Sequence, residues 1–373
     1  MTAPAFDMRG LLDDRHLRVI MTCGTGGVGK TSLSAAMALR AADAGRKVVL
    51  VTVDPARRLA TALGLDRLGA EPEPVLGVTD GSLDALMLDM THTFDEAIRS
   101  HAPADRVEAV LRNPFYKALS TSFSGTQDYM ATEKLGQLYE TAQRTGRWDL
   151  IVVDTPPSRS ALDFLDAPAR LDRLADGPAM RILAPQSGPL RLLNLGLSQA
   201  TALISKIIGS QALSDLQVFA SAFESVMGGF RRRADRVRTL LGSPAAAFVV
   251  VTSSRSAALT ESRFLLDRLR DRHQTQARGV IVNQFPAPVA ITGADRDRLA
   301  AAPEAYAWWE STWDRYRRQR EAVVQALGSD WPITTVPAMA REITDLPAVR
   351  ELGSLAAAGA AIADQNPSPT LDV

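Results

Sequence analysis

The chain has 373 residues, enough for two domains of ordinary size or one large domain with an insertion. Its 42 Lys+Arg balance 42 Asp+Glu, which excludes a globally basic nucleic-acid binder and an acidic disordered tail. The one cysteine, Cys23, excludes within this chain a disulfide framework, a zinc site built on a CxxC pair and a three-thiolate metalloid site, and a reducing, cytoplasmic setting is the simplest expectation.

The opening segment, MTAPAFDMRGLLDDRH, has no apolar h-region, and no apolar run reaches the roughly 18 residues of a membrane span, so neither a signal peptide nor an integral span is expected. Leu17 to Thr22 is an apolar run ending in glycines and reads as a buried strand. A helical pattern follows from Thr31 to about Ala44, closed by Gly45, and a second apolar run covers Lys47 to Val53. Strand, helix and strand in succession have the length of a βαβ unit, whose parallel strands require helices on the sheet faces. Leu83 to Asp89 is a weaker strand candidate, and helical spacing runs from about Phe94 to Thr145. Further buried strands are expected at Leu150–Val153, Ala246–Val251 and Gly279–Val282, ending in Asp154, Thr252 and Asn283, with a weaker one at Ile333–Val336. Between Asp154 and Ala246 the chain turns Leu-, Ala- and Arg-rich with helical spacing, and another helical segment, about Arg296 to Leu327, carries Trp308, Trp309 and Trp313. The polar end, 363–373, is expected to fray.

Residues 24–31, Gly-Thr-Gly-Gly-Val-Gly-Lys-Thr, match G-x-x-x-x-G-K-[ST] between a strand and a helix. Glycines let backbone N–H groups turn inward and approach phosphate oxygens, and the helix N-terminus adds partial positive charge. Lys30 is placed to reach the β- and γ-phosphates of a nucleotide, and the Thr31 hydroxyl to bind Mg²⁺. The bare pattern arises by composition in roughly one chain in a hundred of this size, and the strand and helix around it lower that further. A glycine-rich turn entering a helix is the structural alternative. Gly26, Gly27, Val28, Gly29, Lys30, Thr31 and Ser32 are the expected nucleotide contacts.

The expected fold is therefore α/β: a mostly parallel P-loop NTPase sheet with helices on both faces and an inserted helical subdomain. The core is placed at 1–90, 146–165 and 245–362, a helical insertion at 91–145, the helical subdomain at 166–244 and a flexible tail at 363–373. Ligands of doubly wound sheets bind outside the carboxyl ends of the strands, where the glycine loop, Asp54, Asp154, Thr252 and Asn283 fall. Asp154, in Ile-Val-Val-Asp-Thr-Pro-Pro, can hold the hydration shell of Mg²⁺ or simply cap the next turn. Asp54, before Pro55, can orient the attacking water or accept its proton; it also suits a helix N-cap, and the two roles are compatible.

Within Pro189–Gly229, Leu203, Ile204, Ile207, Ile208, Leu213, Leu216 and Phe219 keep mostly amphipathic-helix spacing. Core packing explains this most simply; a groove for an apolar client segment is the functional alternative, and the sparse methionines, Met180 and Met227, argue against it. Arg231, Arg232, Arg233, Arg236 and Arg238 read as a solvated helix face, with acidic lipid or RNA as the alternative contact, and the three tryptophans as anchors of their helix on the domain, with a partner interface as the alternative.

The loop GTGGVGKTS and the segments DPARRLATALG, DTPPSRSALDFL and VIVNQF resemble, in order and spacing, the arsenite-pump ATPase (ArsA) family, which includes the guided-entry targeting factors for tail-anchored proteins. The resemblance implies a dimeric ATPase in which the segment from Asp54 is a first switch whose Asp serves the hydrolytic water. It makes the segment from Asp154 to about Leu162 a second switch, Asn283 the reader of adenine, and the turn at Val336–Pro337 the wall of the other adenine face. The chain departs from the family at Thr25, where a lysine that reaches the partner's nucleotide is usual. Slow hydrolysis, a substitute cation (Arg57, Arg58 or Arg159), or a heterodimer with a lysine-bearing paralogue instead of a homodimer would each accommodate this. Arsenite transport is not expected, because soft thiolate ligands are required and Cys23 reads as a small packing residue. The function expected is Mg²⁺-dependent ATP binding and hydrolysis coupled to conformational change of the helical subdomain. The alternative is an ATP-gated binding module or chaperone for apolar membrane segments with weak hydrolysis. No nucleic-acid partner is expected.

Overall fold

The structure is a computed structural model that describes residues 4–54, 58–114, 116–117, 127–156, 226, 228–271, 277–287, 298–299 and 301–359. The chain divides into two compact units, one of Met1–Met87, Thr141–Leu162 and Leu240–Val373, the other of Leu88–Glu140 and Asp163–Thr239.

The first unit is built on an eight-stranded sheet. After a short helix α1 (Met8–Asp13) come β1 (Val19–Cys23), α2 (Lys30–Asp43), β2 (Lys47–Thr52), α3 (Arg58–Ala62), β3 (Glu73–Pro74) and β4 (Ser82–Met87). In the second unit the described helices are α4 (Met90–His101), α5 (Val107–Arg112), most of α6 (Gln127–Thr145) and α7 (228–241). The first unit continues with β5 (Leu150–Asp154), β6 (Ala246–Thr252), α8 (Ser256–Asp271), β7 (Ala277–Phe285), α9 (Pro303–Leu327), β8 (Ile333–Pro337) and α10 (Leu346–Ala357). The strand order is β3-β4-β2-β5-β1-β6-β7-β8. Every neighbouring pair is parallel except β3–β4. β1, β5 and β6 are buried along their whole length, as strands covered on both faces must be, which is why they read as unbroken apolar runs.

The α/β architecture with a mostly parallel sheet is the one the sequence implies. The differences in detail have local causes. Asp89 is not a strand residue: its side chain accepts the His92 N–H at 2.8 Å and caps α4. The edge strand β3 is two exposed residues long, too short for an alternation pattern. Trp309 and Trp313 are buried on α9 and sit in a ring ladder with Tyr316 and Phe285, but Trp308 is 64% exposed. The Leu-rich stretch 189–219, the methionines Met180 and Met227, Arg57, Arg159 and the tail 363–373 lie outside the described residues.

In the second unit the arginine run is not a uniformly solvated face. Arg233 is buried, ion-paired to Glu133 and, at 2.9 Å, to Glu140, and its Nη1 is 3.0 Å from His101 Nε2. Burial pushes Glu133 up to about 7 against the pull of Arg233, and burial together with Arg233 holds His101 down at about 4. Phe94 stacks on Tyr116 and leans on Phe230 beside this cluster.

Opposite the carboxyl edge of the sheet, Arg46 ties three strand entrances together. It is 1% exposed, with Nε on Asp149 Oδ1 at 2.6 Å and the other nitrogens on the carbonyls of Leu12, Asp14, Leu17 and Asp149. Removing one partner of a buried ion pair strands the other charge and the carbonyls it served. Arg46→Met is expected to lower the unfolding free energy by about 3–5 kcal/mol, read as a shifted urea midpoint, with the geometry of the opposite edge retained.

Candidate functional site

The glycine loop leaves the carboxyl end of β1 and enters α2 at Lys30. Gly27 and Gly29 have φ of 76° and 90°, the left-handed region that a side chain disfavours. At Gly29 space is closed as well: a Cβ there would fall 2.2 Å from Asn283 Nδ2, which donates to the Val28 carbonyl at 2.9 Å. The side chain of Asn283, at the end of β7, therefore pins the loop from the neighbouring side of the sheet. The Lys30 ammonium folds back onto the Thr25 carbonyl at 2.8 Å, and burial lowers its pKa against the opposing pull of Asp154.

Below the loop lies a buried acid. The register pairs Asp154 of β5 with Thr22 of β1 and with Thr52 of β2, so three strand ends meet at one level. Asp154 Oδ2 accepts the Thr31 hydroxyl at 2.7 Å and the Thr52 hydroxyl at 2.9 Å, while Ser34 Oγ stands 3.5 Å from Oδ1. Thr22 Oγ1 is 2.7 Å from Ser34 Oγ and donates to the Val153 carbonyl. Burial raises the Asp154 pKa, and the two threonine hydroxyls and Lys30 oppose it. The Thr31, Thr52 and Ser34 hydroxyls and the Asp154 carboxylate are hard oxygen donors, the type that suits Mg²⁺.

Above the loop opens a cleft of about 820 Å³. Gly26, Gly27, Gly29, Lys30, Thr31 and Ser32 form its floor, and Asp54 and Arg58 line it too. Thr155, Asn283, Gln284, Pro337, Ala338, Met339, Arg341, Ile343 and Thr344 are among its other lining residues. The sequence-derived contacts thus come together, with two differences. Val28 packs into the hydrophobic core and offers only its backbone. Asp154 does not line the cleft but sits beneath Thr31, fully buried. Cys23 is buried beside the loop, with its thiol pushed up to about 12, as befits a packing residue. Residues 55–57 and, from 157 onward, the segment expected to be a second switch lie outside the described residues, so the N-cap reading of Asp54 does too.

Sequence reasoning missed Thr22, Thr52 and Ser34, although each had a signal: two are hydroxyls closing a strand, one lies a helical turn beyond Lys30. It also missed Gln284, Met339 and Arg341. Gln284 has φ of 55° in a register shift between Val282 and Phe285, a bulge at the cleft rim that no residue pattern announces.

The buried carboxylate has a cost. An acid whose folded pKa is raised above its unfolded value is most favourable when protonated, and that contribution is lost as pH rises through the folded pKa. Asp154→Asn, which keeps the hydroxyl contacts, is expected to stabilise the ligand-free protein by roughly 1–3 kcal/mol at pH 8. The gain over the wild type should shrink toward pH 4, as urea titrations at the two pH values would show.

The family model described as anion-transporting ATPase matches residues 17–356. An ATPase GET3 of Malassezia globosa is 29% identical over 166 residues, 44% of this chain and 47% of that protein, so the chain spans about half the length of that relative. An ATPase GET3 of Paracoccidioides lutzii is 25% identical over 284 residues, 75% of this chain and 76% of that protein. Matched from the strand that feeds the glycine loop to the last described helix, the chain belongs to the anion-transporting ATPase (ArsA) family and is by that membership an ATPase.

Proposed function

We propose that the cleft binds ATP with Mg²⁺ and hydrolyses it, and that the nucleotide state is passed to the helical unit. The observation that carries this is the Thr31–Asp154 contact of 2.7 Å under an open glycine loop, a hydroxyl and a carboxylate joined beneath a phosphate cradle. The backbone of Gly26 to Ser32 would hold the phosphates, Lys30 would leave the Thr25 carbonyl for the β- and γ-oxygens, and Asn283 and Pro337 would flank the base. Thr31 and, through water, Asp154 would hold Mg²⁺, which when bound neutralises phosphate charge. Asp54 lines the same cleft, with its N–H on Thr52 Oγ1 at 3.2 Å, and would orient the water that attacks the γ-phosphorus.

Coupling is supported by chain connectivity: β5 ends in Asp154, and the segment it leads into enters the second unit at Asp163. A dimer and an apolar client follow from the family resemblance. The lone, buried Cys23 supports no metalloid-binding role. Within the described residues no helix is long and apolar enough to cross a membrane.

Calorimetry should show saturable ATP and ADP binding that Lys30→Ala weakens at least tenfold; heat changes indistinguishable from buffer would overturn the assignment. Asp54→Asn should lower turnover by about 10²–10⁴ while ADP affinity stays within threefold, the split expected of a group that acts only on the water. Tight binding with negligible wild-type turnover would instead favour the ATP-gated binding module.

A further inference from the structure

Three cations line the cleft among the described residues: Lys30, Arg341 and Arg58. Lys30 is committed to the phosphate floor. Arg341 is held by two carboxylates, Glu351 at 3.1 Å and Asp345 at 3.7 Å. Arg58 differs from both. Its side chain is 66% exposed, and its ion pair is a long contact of 3.7 Å to Asp54, the carboxylate assigned to the attacking water. An exposed pair at that separation is weak and yields readily to a more highly charged anion. Arg58 also adds its repulsion to Lys30, so the two cations act on the same region of the cleft. Thr25, one residue after the start of the loop, offers no charge of its own, and its carbonyl already serves Lys30. The charge that builds on a transferring phosphoryl group would be met by Mg²⁺, Lys30 and the loop amides, and an arginine lining the same cleft adds to them.

We propose that Arg58 is a catalytic residue that works by exchanging partners: as ATP enters, its guanidinium leaves Asp54 for the γ-phosphate oxygens of the same subunit's nucleotide. The inference rests on the ATP assignment above. The exchange does two things at once. It brings a planar, permanently charged donor to the phosphoryl group, and it removes the Arg58 ion pair from the Asp54 carboxylate when substrate is present. The water oxygen then donates a lone pair to the γ-phosphorus while the bond to the β,γ-bridging oxygen breaks. The bond pair stays on that oxygen, which leaves as ADP. One proton of the water passes to Asp54 and from there to solvent, and the product is inorganic phosphate.

The test compares the full-length wild type with Arg58→Ala, Arg58→Lys, Arg57→Ala, Asp54→Asn and the Arg58→Ala/Asp54→Asn double variant, in steady-state ATP turnover with Mg²⁺ and in calorimetric ADP binding. Arg58→Ala should lose about 10²–10³ in kcat with ADP affinity within threefold, and Arg58→Lys should recover a minor part, since an ammonium lacks the bidentate geometry. The double variant should fall little below the worse single one, because residues acting as a unit are not additive. Retained ADP affinity shows that the variants are folded. Turnover of Arg58→Ala within threefold of wild type, or a loss confined to Arg57→Ala, would overturn the proposal and leave the ATP assignment standing. Wild-type protein that binds no ATP would overturn both.

Discussion

Asp154 holds a carboxylate with no exposed surface at the meeting point of three strand ends, and three hydroxyls, two from α2 and one from β2, are turned toward it. Such an arrangement is unfavourable in isolation: the ion has lost its water, and hydroxyls replace only part of it. It is maintained because the rest of the sheet over-determines it. The register of β1, β2 and β5 leaves Thr22, Thr52 and Asp154 no other level, and α2 begins where its first turn must lay Thr31 over the acid. The site is thus an electrostatically expensive point placed where the fold is most rigid, the usual location for chemistry that depends on fixed dipoles and charges.

Around that point the remaining charges are arranged by how firmly they are held. Lys30 rests on a carbonyl of its own loop, Arg341 on two carboxylates, and Arg58 loosely on one. Asn283 fixes the loop from outside, through a hydrogen bond to Val28 and a contact that excludes any side chain at Gly29. A rigid floor and a labile mouth are what a site needs if it is to hold phosphates in one place and respond to their arrival.

The two ends of the sheet are specialised differently. At the amino ends of the strands Arg46 satisfies backbone carbonyls and fixes the entrances of β1, β2 and β5, with no chemistry to perform. At the carboxyl ends polar groups are left facing a cleft. The helical unit has its own polar interior, in which Arg233, Glu133, Glu140 and His101 form a network between α4, α6 and α7. Buried networks of this kind specify one arrangement of helices more than they stabilise it.

Several features were legible in the residues alone. The glycine loop, the all-apolar strands and the polar residue closing each one determined a parallel α/β sheet with a glycine-lined cleft at its carboxyl edge, because local backbone geometry and two-sided burial leave direct marks on sequence. The strand ends already placed Asn283 at that edge; the resemblance gave it the role of a base contact and added Pro337, neither of which strand-end statistics would have singled out. Tertiary structure decided what depends on register and on distant partners. That Thr52 and Ser34 serve Asp154, that Arg233 is interior while Arg232 and Arg236 are not, and that Trp308 is exposed beside two buried tryptophans follow from how elements far apart in the chain are set against one another. The bulge that turns Gln284 toward the cleft belongs to the same class, because neighbouring residues in a sequence carry no record of which remote side chain will stand opposite them.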